Sequence, residues 1–462
     1  MHKQKVFPLL TWLLLSFTVL TILSYTVPVS ARTLLVPQVY STIQEAINAA
    51  RKGDIIQVSA GIYYENVIID QEIELIGENK TTTIIDCQQY GDVIRVDVDS
   101  VTITGFTIRN GDNGIRVLGT IGNINVTDNI IKNNRYGISL IGDSITSTTD
   151  NIIVDNTFEN ISNVSVSMMF GLSNTISQND ISGSAYGIKL ALTNTTTISN
   201  NLFTSASYSI YISSCTNNSV INNTIIDNSF GICLAYSDNI LIRDNRISGS
   251  TYAIQLYGSH SNTLLYNFVS DNPTYGIYLA YSDNNNVTDN TMSQSDWGLT
   301  LYDSLSNTFK SNIISYNTFG ITTTISPNNI IYQNDFIENV DQITRDFAST
   351  NIWSQNERGN YWSDYQGVDD GSGGRVAGDG VGDTLIPHLG EDYYPLMSEV
   401  HGLLGDIDGD GDVDMFDFGI FAQAYGSIDG DPNYDARCDF DNDGDVDMFD
   451  FGIFAQNYGT TA

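Results

Sequence analysis

The sequence predicts an all-β protein, a right-handed single-stranded parallel β-helix of about 12 or more coils, with a small α-helical domain at its C-terminal end. Two observations support this prediction. A small residue followed by an aliphatic one recurs every 22 to 26 residues between Asp92-Val93 and Gln342-Ile343. One Asp-rich motif near the end of the chain occurs twice, and each copy precedes an amphipathic stretch.

The first 31 residues have the pattern of an export signal. Lys3 and Lys5 are followed by an apolar run from Leu9 to Leu23, and small residues precede Arg32. This order is typical of a secretory signal peptide that is removed before the mature chain begins. An uncleaved membrane anchor is the alternative, because the apolar run is nearly long enough to span a bilayer. We therefore expect a secreted or cell-surface protein with no other membrane segment.

The charge of the chain argues against two classes of partner. The 54 acidic and 19 basic residues give a formal net charge of −35. Nucleic-acid binding needs cationic side chains that displace phosphate counterions, and an anionic membrane surface repels an acidic protein. Residues 401–462 contain 15 Asp residues, with Arg437 as their one basic residue. Cation binding is therefore expected in that segment.

The repeat determines the predicted architecture. A typical unit begins at Gly231-Ile232 and contains two short stretches of alternating apolar residues, joined by an Asn-rich turn. Such a unit has no room for a helix of about 10 residues, and propeller blades need about 40 residues per repeat. Coils stacked in parallel remain, and steric preferences favour the right-handed crossover.

Stacked coils predict how two kinds of side chain are used. Residues at one coil position lie about 4.8 Å from their copies, so Asn side chains can hydrogen-bond along the axis. In most units an aromatic residue precedes the small residue. It lies two residues before the inward Ile, so the alternation of side chains along a strand places both on the same face. We therefore expect these rings to stack inside the rod. They are Tyr136, Tyr186, Tyr208, Phe230, Tyr252, Tyr275, Trp297 and Phe319.

The N-terminal part of the repeat region carries a resemblance to known proteins. Ser41–Ala50 predicts an amphipathic helix over the first coil, with Ser41 as its N-cap. With the segments Gly61–Asn66 and Thr83–Asp86, this opening resembles pectin-lyase-like β-helix proteins, and the Gly-Ile coils resemble their NosD-like branch. The resemblance covers residues 33–345 and implies the β-helix fold. We assign residues 32–345 to the rod with its helical cap.

Residues 346–400 lack the repeat. The segments Gly359–Tyr365 and Asp379–Asp383 resemble the closing part that follows many archaeal NosD-like rods, so we assign 346–400 to a C-terminal cap and linker. Four acids in this region are either ligands of a further cation or ordinary turn residues. These are Asp369, Asp370, Asp379 and Asp383.

Two loops in the segment 401–462 predict cation sites. Carboxylates at alternate positions converge on one centre because the chain turns sharply at a Gly, and a carboxylate at position 12 closes the shell. Oxygen ligands in this number suit Ca²⁺, and the absence of His and Cys from the loops argues against zinc or copper. We predict two Ca²⁺ sites. Their ligands are Asp406, Asp408, Asp410, Asp412 and Asp417 in one loop, and Asp439, Asp441, Asp443, Asp445 and Asp450 in the other.

Each loop is followed by one amphipathic stretch, Met415–Tyr425 or Met448–Tyr458, and Gly411–Gln423 is identical to Gly444–Gln456. A duplicated loop and helix with Asp at position 12 resembles the type I dockerin family. The resemblance implies Ca²⁺-dependent folding and docking onto a cohesin domain of a scaffold or cell surface. A calcium-stabilised tail without a partner is the alternative.

Positions 10 and 11 of the loops are the candidate partner-binding residues, which are Met415, Phe416, Met448 and Phe449. In cellulosomal dockerins these positions are often small hydroxylated residues that contact cohesin. Because this chain has Met and Phe at these positions instead, the resemblance implies a cohesin other than the standard clostridial type.

The rod offers candidate substrate-binding residues on one sheet. Tyr211 and Tyr278 lie two residues after the small residue of their units, and Tyr257 and Tyr302 lie four residues after it. This spacing predicts that all four face solvent, where tyrosine rings could stack on sugar rings. Tyrosines that only suit a flat sheet are the alternative interpretation.

We could not assign catalytic residues from the sequence. A lyase needs acids and an Arg or Lys base, and a hydrolase needs clustered carboxylates. The available residues show no common coil position, and no cluster of soft ligands supports copper binding. The acidic and basic residues available to a lyase or a hydrolase are Lys189, Arg243, Arg246, Asp238, Asp244, Asp283 and Asp303.

These predictions together favour a secreted modular protein. We expect a β-helix that binds or processes polysaccharide and a Ca²⁺-dependent tail, residues 401–462, that attaches it to a cohesin-bearing partner. A polysaccharide lyase or glycoside hydrolase is one alternative, and a non-catalytic surface scaffold or adhesin is the other.

Overall fold

The computed structural model describes residues 31–142, 147–346, 348–401, 405–407, 412–428, 430–435, 437–440 and 444–460. The predicted export signal lies outside the described residues except for Ala31, and so do four of the predicted ligands. These are Asp408, Asp410, Asp441 and Asp443. Within the part of the chain that is described, no helix is long and apolar enough to cross a membrane.

The central part of the chain winds into a right-handed parallel β-solenoid of about 15 turns. Each turn contributes one strand to each of three parallel sheets. Strand pairing follows the predicted repeat, because Ile188, Ile210, Ile232 and Ile254 are successive partners in one sheet. The predicted fold class is therefore confirmed. The predicted repeat alignment is wrong at two units, because Ile138 pairs with Val166 and not Val164, and Ile115 pairs with Ile94 and not Val93.

We call the three sheets the first, second and third sheet. The first sheet consists of Thr33–Val36, Ile55–Val58, Glu74–Gly77, Thr102–Thr104, Asn125–Thr127, Ile152–Val154, Thr175–Ser177, Thr197–Ser199, Ser219–Ile221, Leu241–Arg243, Thr263–Leu265, Asn286–Thr288, Thr308–Lys310 and Ile330–Tyr332. The second sheet consists of Val67–Ile69, Ile94–Val96, Asn113–Leu118, Tyr136–Ile141, Val164–Met169, Tyr186–Ala191, Tyr208–Ser213, Phe230–Ala235, Tyr252–Tyr257, Tyr275–Ala280, Trp297–Tyr302, Phe319–Thr324 and Asp341–Arg345.

The third sheet consists of Gly61–Tyr63, Thr83–Asp86, Thr107–Arg109, Ile130–Lys132, Thr157–Glu159, Asp180–Ser182, Leu202–Thr204, Thr224–Ile226, Arg246–Ser248, Phe268–Ser270, Thr291–Ser293, Ile313–Ser315, Asp335–Ile337 and Tyr361–Trp362. A short pair, Thr148–Thr149 with Gly171–Leu172, lies outside these sheets. Ser372–Gly374 forms a 3-10 turn.

Asn ladders fill the turns, as the sequence predicts. In the longest ladder, the side-chain amide of each Asn donates to the side-chain oxygen of its copy on the next coil, at 2.8–3.1 Å. Each side-chain amide also donates to backbone carbonyls. The ladder therefore provides hydrogen-bond partners for buried polar groups with side chains that carry no charge. Its members are Asn129, Asn156, Asn179, Asn201, Asn223, Asn245, Asn267, Asn290, Asn312, Asn334 and Asn360.

The expected internal position of the aromatic rings is wrong. Tyr186 and its copies are half-buried on the outer side of the second sheet, while Ile188 is fully buried. The parity changes at the intervening Gly187, which also faces inward. A Cβ atom there would lie 2.8 Å from the ring of Phe203 and 2.5 Å from the carbonyl oxygen of Ser209. Two consecutive inward residues at this corner leave the preceding aromatic ring outside.

Helix α1, Ile43–Ala49, covers the first coil with buried Ile43, Ala46 and Ile47. Its N-cap is Thr42 and not the expected Ser41, because the Thr42 side chain accepts a hydrogen bond from the Glu45 backbone N–H. Ser41 instead donates to the Glu45 carboxylate. The shift by one residue still satisfies the start of the helix.

The C-terminal end of the rod is closed by residues 346–400. Tyr361–Trp362 extends the third sheet, and the Trp362 ring stacks on Phe336 with centroids 4.2 Å apart. The buried Asp392 carboxylate accepts hydrogen bonds from Trp362 Nε1 at 3.0 Å and from the Asn360 backbone N–H at 2.8 Å. Asp392 thereby ends the longest Asn ladder.

The acids proposed for a further cation site behave as turn residues. Asp369 accepts from the backbone N–H groups of Gly378 and Gly380, and Asp383 accepts from that of Gly371. Asp370 and Asp379 each accept from a backbone N–H two residues later. These contacts favour the ordinary turn interpretation.

The C-terminal unit contains helices α2, Met415–Ala424, and α3, Met448–Asn457. Each loop is closed by pairing with the end of the opposite helix. Val413 exchanges backbone hydrogen bonds with Gly459 and Thr460, and Val446 does so with Gly426 and Ser427. The unit has its own small core of Ile407, Val413, Phe421, Ala424, Cys438, Val446 and Phe454.

Candidate functional site

The duplicated loops bring carboxylates together at the start of each helix. Oxygen atoms of Asp412, Asp414 and Asp417 all lie within 4.8 Å of one another, and the equivalent atoms of Asp445, Asp447 and Asp450 do the same. Asp406 and Asp439, at the first loop positions, are also described, whereas the four ligands named above are not.

The position-12 carboxylates are the fixed points of both loops. Asp417 is fully buried and accepts hydrogen bonds from the backbone N–H groups of Ile407 at 2.6 Å and Asp414 at 2.8 Å. Asp450 repeats this pattern with Phe440 and Asp447 at 2.7 and 2.8 Å. Each therefore joins the start of its loop to the start of its helix.

The donor set fits a calcium ion. Each triad offers only carboxylate oxygens, which are the ligands that Ca²⁺ prefers. Negative charge at a helix N-terminus is also favourable to the helix, and Asp414 and Asp447 are the N-caps of α2 and α3. The predicted ligand set omitted these two acids at loop position 9. Their place directly before the amphipathic stretches could have identified them from the sequence.

The predicted partner-binding residues lie on the surface of the C-terminal unit. Met415 and Phe416 are 69% and 72% exposed, and Met448 and Phe449 are 70% and 53% exposed. An apolar groove of about 410 Å³ adjoins Met415 and is lined by Phe418, Phe451 and Tyr458 among others. Phe416 and Phe449 therefore face outward and are not part of the small core.

On the rod, the second sheet carries two rows of rings. We call the first the stacked row. Neighbouring rings in it have centroids 4.4–5.5 Å apart and interplanar angles of 7–25°. Ring faces in this row are therefore covered by other rings, and mainly ring edges meet solvent. The row consists of Tyr186, Tyr208, Phe230, Tyr252, Tyr275, Trp297 and Phe319.

Two of the predicted substrate-binding tyrosines lie against this row. Tyr211 makes edge contacts with Tyr186 and Tyr208 at 5.5–5.6 Å, and Tyr278 packs on Tyr275 at 5.0 Å. Burial raises the pKa of Tyr278 to about 12. Both residues are half-buried on the outer side of the sheet.

The other two predicted tyrosines belong to a second row, which we call the tyrosine ladder: Tyr236, Tyr257, Tyr281 and Tyr302. Successive rings meet edge to face, 5.5–5.6 Å apart and at 76–89°. In each pair the edge of one ring contacts the face of the next, and the four side chains remain 36–62% exposed. Tyr236 and Tyr281 were missed, although Leu234–Asn239 and Leu279–Asn284 share the sequence LAYSDN.

A polar column runs beside the tyrosine ladder. Asp238 accepts a hydrogen bond from the His260 backbone N–H at 2.7 Å, and His260 Nδ1 accepts one from the Asp283 backbone N–H at 3.0 Å. Because Nδ1 is an acceptor, the neutral ring carries its hydrogen on Nε2. The column therefore presents both donors and acceptors next to exposed rings.

The cationic side chains that a lyase could use lie on different sheets. Lys189 on the second sheet lies over the rings of Tyr186 and Tyr211. Arg243 at the edge of the first sheet pairs with Asp244 at 2.7 Å. Arg246 on the third sheet lies over the ring of Phe268 at 5.1 Å. These contacts do not assemble one catalytic constellation from the three cations.

Three family models match the chain. Residues 224–367 match the model described as periplasmic copper-binding protein (NosD), and residues 56–203 and 122–269 match the right-handed β-helix region. Residues 404–457 match the dockerin type I domain. No curated protein sequence matches the chain.

Solved structures share the fold at low sequence identity. The A-module of mannuronan C-5 epimerase AlgE4 from Azotobacter vinelandii is 16% identical with a TM-score of 0.51, and the match covers 68% of this chain and 96% of that one. A mannuronic acid specific polysaccharide family 6 lyase from human gut microbiota is 13% identical with a TM-score of 0.51, over 68% and 82% of the two chains.

The PL6 family alginate lyase AlyGC is 13% identical with a TM-score of 0.53, and the match covers 69% of this chain and 53% of that one. At these identities the likeness concerns the fold alone. The chain thus joins a parallel β-helix with coils that match the NosD and right-handed β-helix models to a C-terminal segment that matches the type I dockerin domain.

Proposed function

We propose that this protein is a secreted polysaccharide-binding module, held on a cohesin-bearing partner by a dockerin domain that binds two Ca²⁺ ions. The observation that carries the proposal for the rod is the tyrosine ladder. Its exposed rings lie on four successive coils along one side of the β-helix, next to a hydrogen-bonding column. This combination suits the apolar faces and the hydroxyl groups of sugar rings.

The spacing of the ladder supports an extended chain as the ligand. Tyr236 and Tyr281 lie two coils apart, as do Tyr257 and Tyr302. Two coils correspond to about 9.6 Å at the usual strand spacing of about 4.8 Å. This distance is comparable to the length of a disaccharide unit in an extended polymer. The two tyrosines of each pair can then contact equivalent sugars of successive disaccharide units along the glycan.

The surrounding charge favours a neutral glycan. Asp238 and Asp283 flank His260 beside the ladder, and the whole chain carries a net charge of −35. A polyuronate would bring carboxylates close to these acids at a Coulombic cost. We therefore expect neutral polysaccharides to bind more tightly than polyuronates.

The C-terminal unit supports attachment to a partner. Two acidic triads at helix N-termini can hold one Ca²⁺ each, and the apolar side chains around Met415 and Phe416 are exposed next to them. Exposed apolar residues of this size are typical of protein-binding surfaces. The partner we propose is a cohesin domain, in agreement with the dockerin match.

Two binding assays test the proposal. Affinity electrophoresis of the full chain against a panel of neutral and uronate polysaccharides should show retardation by at least one neutral glycan. Surface plasmon resonance against immobilised type I cohesin domains should show binding in Ca²⁺ that EDTA abolishes. Failure with every glycan would contradict the rod's role, and failure with every cohesin would contradict the attachment.

The enzymatic alternative is decided by the same polysaccharide panel. The separate positions of Lys189, Arg243 and Arg246 favour binding without catalysis. Reducing ends or unsaturated uronates released from any of these glycans would instead identify a hydrolase or a lyase. A chain that binds a cohesin but neither binds nor cleaves any glycan would correspond to the scaffold alternative.

A further inference from the structure

The duplicated helices of the dockerin unit have the same sequence except at their last residue, Ala424 or Asn457, but they have different surroundings. Ile420 and Ile453 occupy equivalent positions in the identical segments 411–423 and 444–456. Ile420 is half-buried and packs against the core of the unit, whereas Ile453 is only 5% exposed. Because the sequences are identical, the additional burial of Ile453 must come from something outside the duplicated segments.

The rod provides this burial. Ile453, Gln456, Asn457 and Thr460 line one wall of a cleft of about 590 Å³. The third sheet lines the opposite wall, with Phe268, Thr291, Ile313 and Tyr316 among its residues. Helix α3 therefore faces the rod, while α2 has no equivalent contact among those that the structure describes.

An arginine of the rod connects the two surfaces. The guanidinium of Arg246 lies 4.7 Å from the ring centroid of Phe449 and 5.1 Å from that of Phe268. Phe449 is 53% exposed, while its duplicate Phe416 is 72% exposed. A cation between two rings is a favourable contact at a partly desolvated site. One predicted partner-binding residue is thus engaged by the rod.

The linker holds the dockerin unit at this place. The buried Asp335 carboxylate on the third sheet accepts hydrogen bonds from the backbone N–H groups of Val400 at 2.7 Å and His401 at 3.1 Å. The His401 ring also lies 2.7 Å from this carboxylate. Only residues 402–404 separate this anchor from Gly405, where the description of the dockerin unit begins. A short tether favours an intramolecular contact through high effective concentration.

We propose that the rod occupies part of the α3 copy of the dockerin's recognition surface, by burying Ile453 and contacting Phe449 while Met448 stays exposed, so that the full chain docks on a cohesin in one orientation through the α2 copy. This inference rests on the proposed docking function. The open surface consists of Met415, Phe416 and the apolar groove lined by Phe418, Phe451 and Tyr458. Since residues 401–462 carry a net charge of −14, the partner surface that fits it is apolar at its centre and basic at its rim.

A crosslinking experiment tests the contact without any partner. Thr291→Cys is combined with Gln456→Cys in one full-length variant and with the duplicate Gln423→Cys in another, and both are treated with a short bismaleimide in Ca²⁺. The native cysteines Cys87, Cys215, Cys233 and Cys438 are all buried. We expect an internal link in the first variant and at least about tenfold less in the second. Equal yields, or no link at position 456, would overturn the proposal.

A binding experiment tests the single orientation. For a cohesin that binds the full chain, Phe416→Ala should weaken binding by about thirtyfold, as for a typical hot-spot residue, and Phe449→Ala by less than about threefold. Equal losses, or a loss only when both are changed, would mean that the two surfaces are equivalent and the proposal is wrong. If no cohesin binds, the proposed attachment fails, and the crosslink alone still decides whether the rod covers α3.

Discussion

At the residue scale, ring orientation separates structural tyrosines from candidate binding tyrosines. In the stacked row, Tyr208 has Tyr186 at 4.9 Å on one side and Phe230 at 4.4 Å on the other, both nearly parallel to it. In the tyrosine ladder, Tyr257 meets Tyr236 and Tyr281 edge to face. The parallel rings of the stacked row cover one another's faces and are half-buried, whereas the ladder side chains are 36–62% exposed and accessible to a sugar. The stacked row therefore stabilises the sheet, and the ladder is available to a ligand.

We expect Tyr257→Ala to lower the affinity for the bound glycan by about tenfold, since about 1.4 kcal/mol is a typical loss for an aromatic contact residue. Isothermal titration calorimetry measures the effect. Tyr208→Ala is the matched control, because it also removes one tyrosine ring from the same sheet. It should reduce thermal stability and leave affinity within about twofold. The interpretation of the two rows would be refuted by a larger affinity loss for Tyr208→Ala than for Tyr257→Ala.

At the element scale, the Asn ladder is what allows polar turns to be buried on every coil. Asn245 donates to the carbonyl oxygens of Val220 and Arg243 at 2.9 and 3.0 Å and to Asn267 at 3.0 Å. Its own side-chain oxygen accepts hydrogen bonds from the backbone N–H and from the side-chain amide of Asn223. Removing one member therefore removes hydrogen bonds to three coils and takes the side-chain acceptor away from the buried Asn223 backbone N–H.

Asn245→Ala should destabilise the rod by about 3 kcal/mol, because several buried hydrogen bonds are lost at once and the Asn223 backbone N–H loses its acceptor. Urea unfolding followed by circular dichroism measures the change. The control is Asn286→Ala on the first sheet, where the side chain is exposed, and its effect should stay below about 0.5 kcal/mol. Similar midpoints for the two variants would show that the ladder does not stabilise the rod.

The linker anchor on Asp335 is the element with a pH dependence. Burial raises the pKa of Glu399 to about 7, and the nearby Asp335 carboxylate adds to the shift. Burial alone would lower the pKa of His401, but the hydrogen bond to Asp335 and the charges of Asp335 and Asp289 raise it overall. Both groups therefore bind protons more tightly in the anchored state than when the linker is free.

The anchor should consequently weaken as the pH rises. Between the ordinary pKa of Glu399, 4.5, and its anchored value of about 7, the anchored state holds a proton that the free linker has lost. His401 adds a loss above its ordinary pKa of 6.5. Hydrogen exchange at the Val400 and His401 amides, corrected for intrinsic rates, should show less protection at about pH 8 than at about pH 5. Greater protection at the higher pH would contradict this assignment, and Asp335→Asn should remove the part of the dependence that comes from His401.

At the scale of the whole molecule, the rod and the dockerin unit have separate hydrophobic cores. The rod's core runs from Leu34 to Trp362, and the dockerin core is formed within residues 407–454. The second core is small, and two buried carboxylates, Asp417 and Asp450, lie beside it. We expect such a unit to depend on cations that offset the repulsion among its acids, whereas the rod is held by neutral ladders and aliphatic packing.

Chelation with EDTA should therefore unfold residues 405–460 and leave the rod folded. Differential scanning calorimetry in excess Ca²⁺ should show a transition for the dockerin unit that shifts to lower temperature on chelation, while the rod's transition stays in place. Asp417→Ala and Asp450→Ala should each reproduce part of the shift, and the exposed Asp431→Asn should not. A scan that is identical with and without Ca²⁺ would refute the calcium dependence.

Much of the fold and part of the candidate site could be predicted from the sequence. The spacing of Gly231-Ile232 and its copies defined the coils because a solenoid places each repeat on its neighbour, and the strand pairs follow that alignment. The loop acids were predictable because the ligands of a calcium loop are close in sequence. Ring orientation was not, since it depends on a corner at Gly187 that reverses the parity of the strand.

The sequence by itself determined the repeat, the Asn ladders and the duplicated acidic loops, because all three arise from residues at fixed spacings along the chain. Only the tertiary structure decided which rings are exposed and which of the two duplicated helices meets the rod. The physical reason is that exposure depends on neighbours from other coils and other units: identical segments such as those containing Ile420 and Ile453 acquire different surroundings when the chain folds.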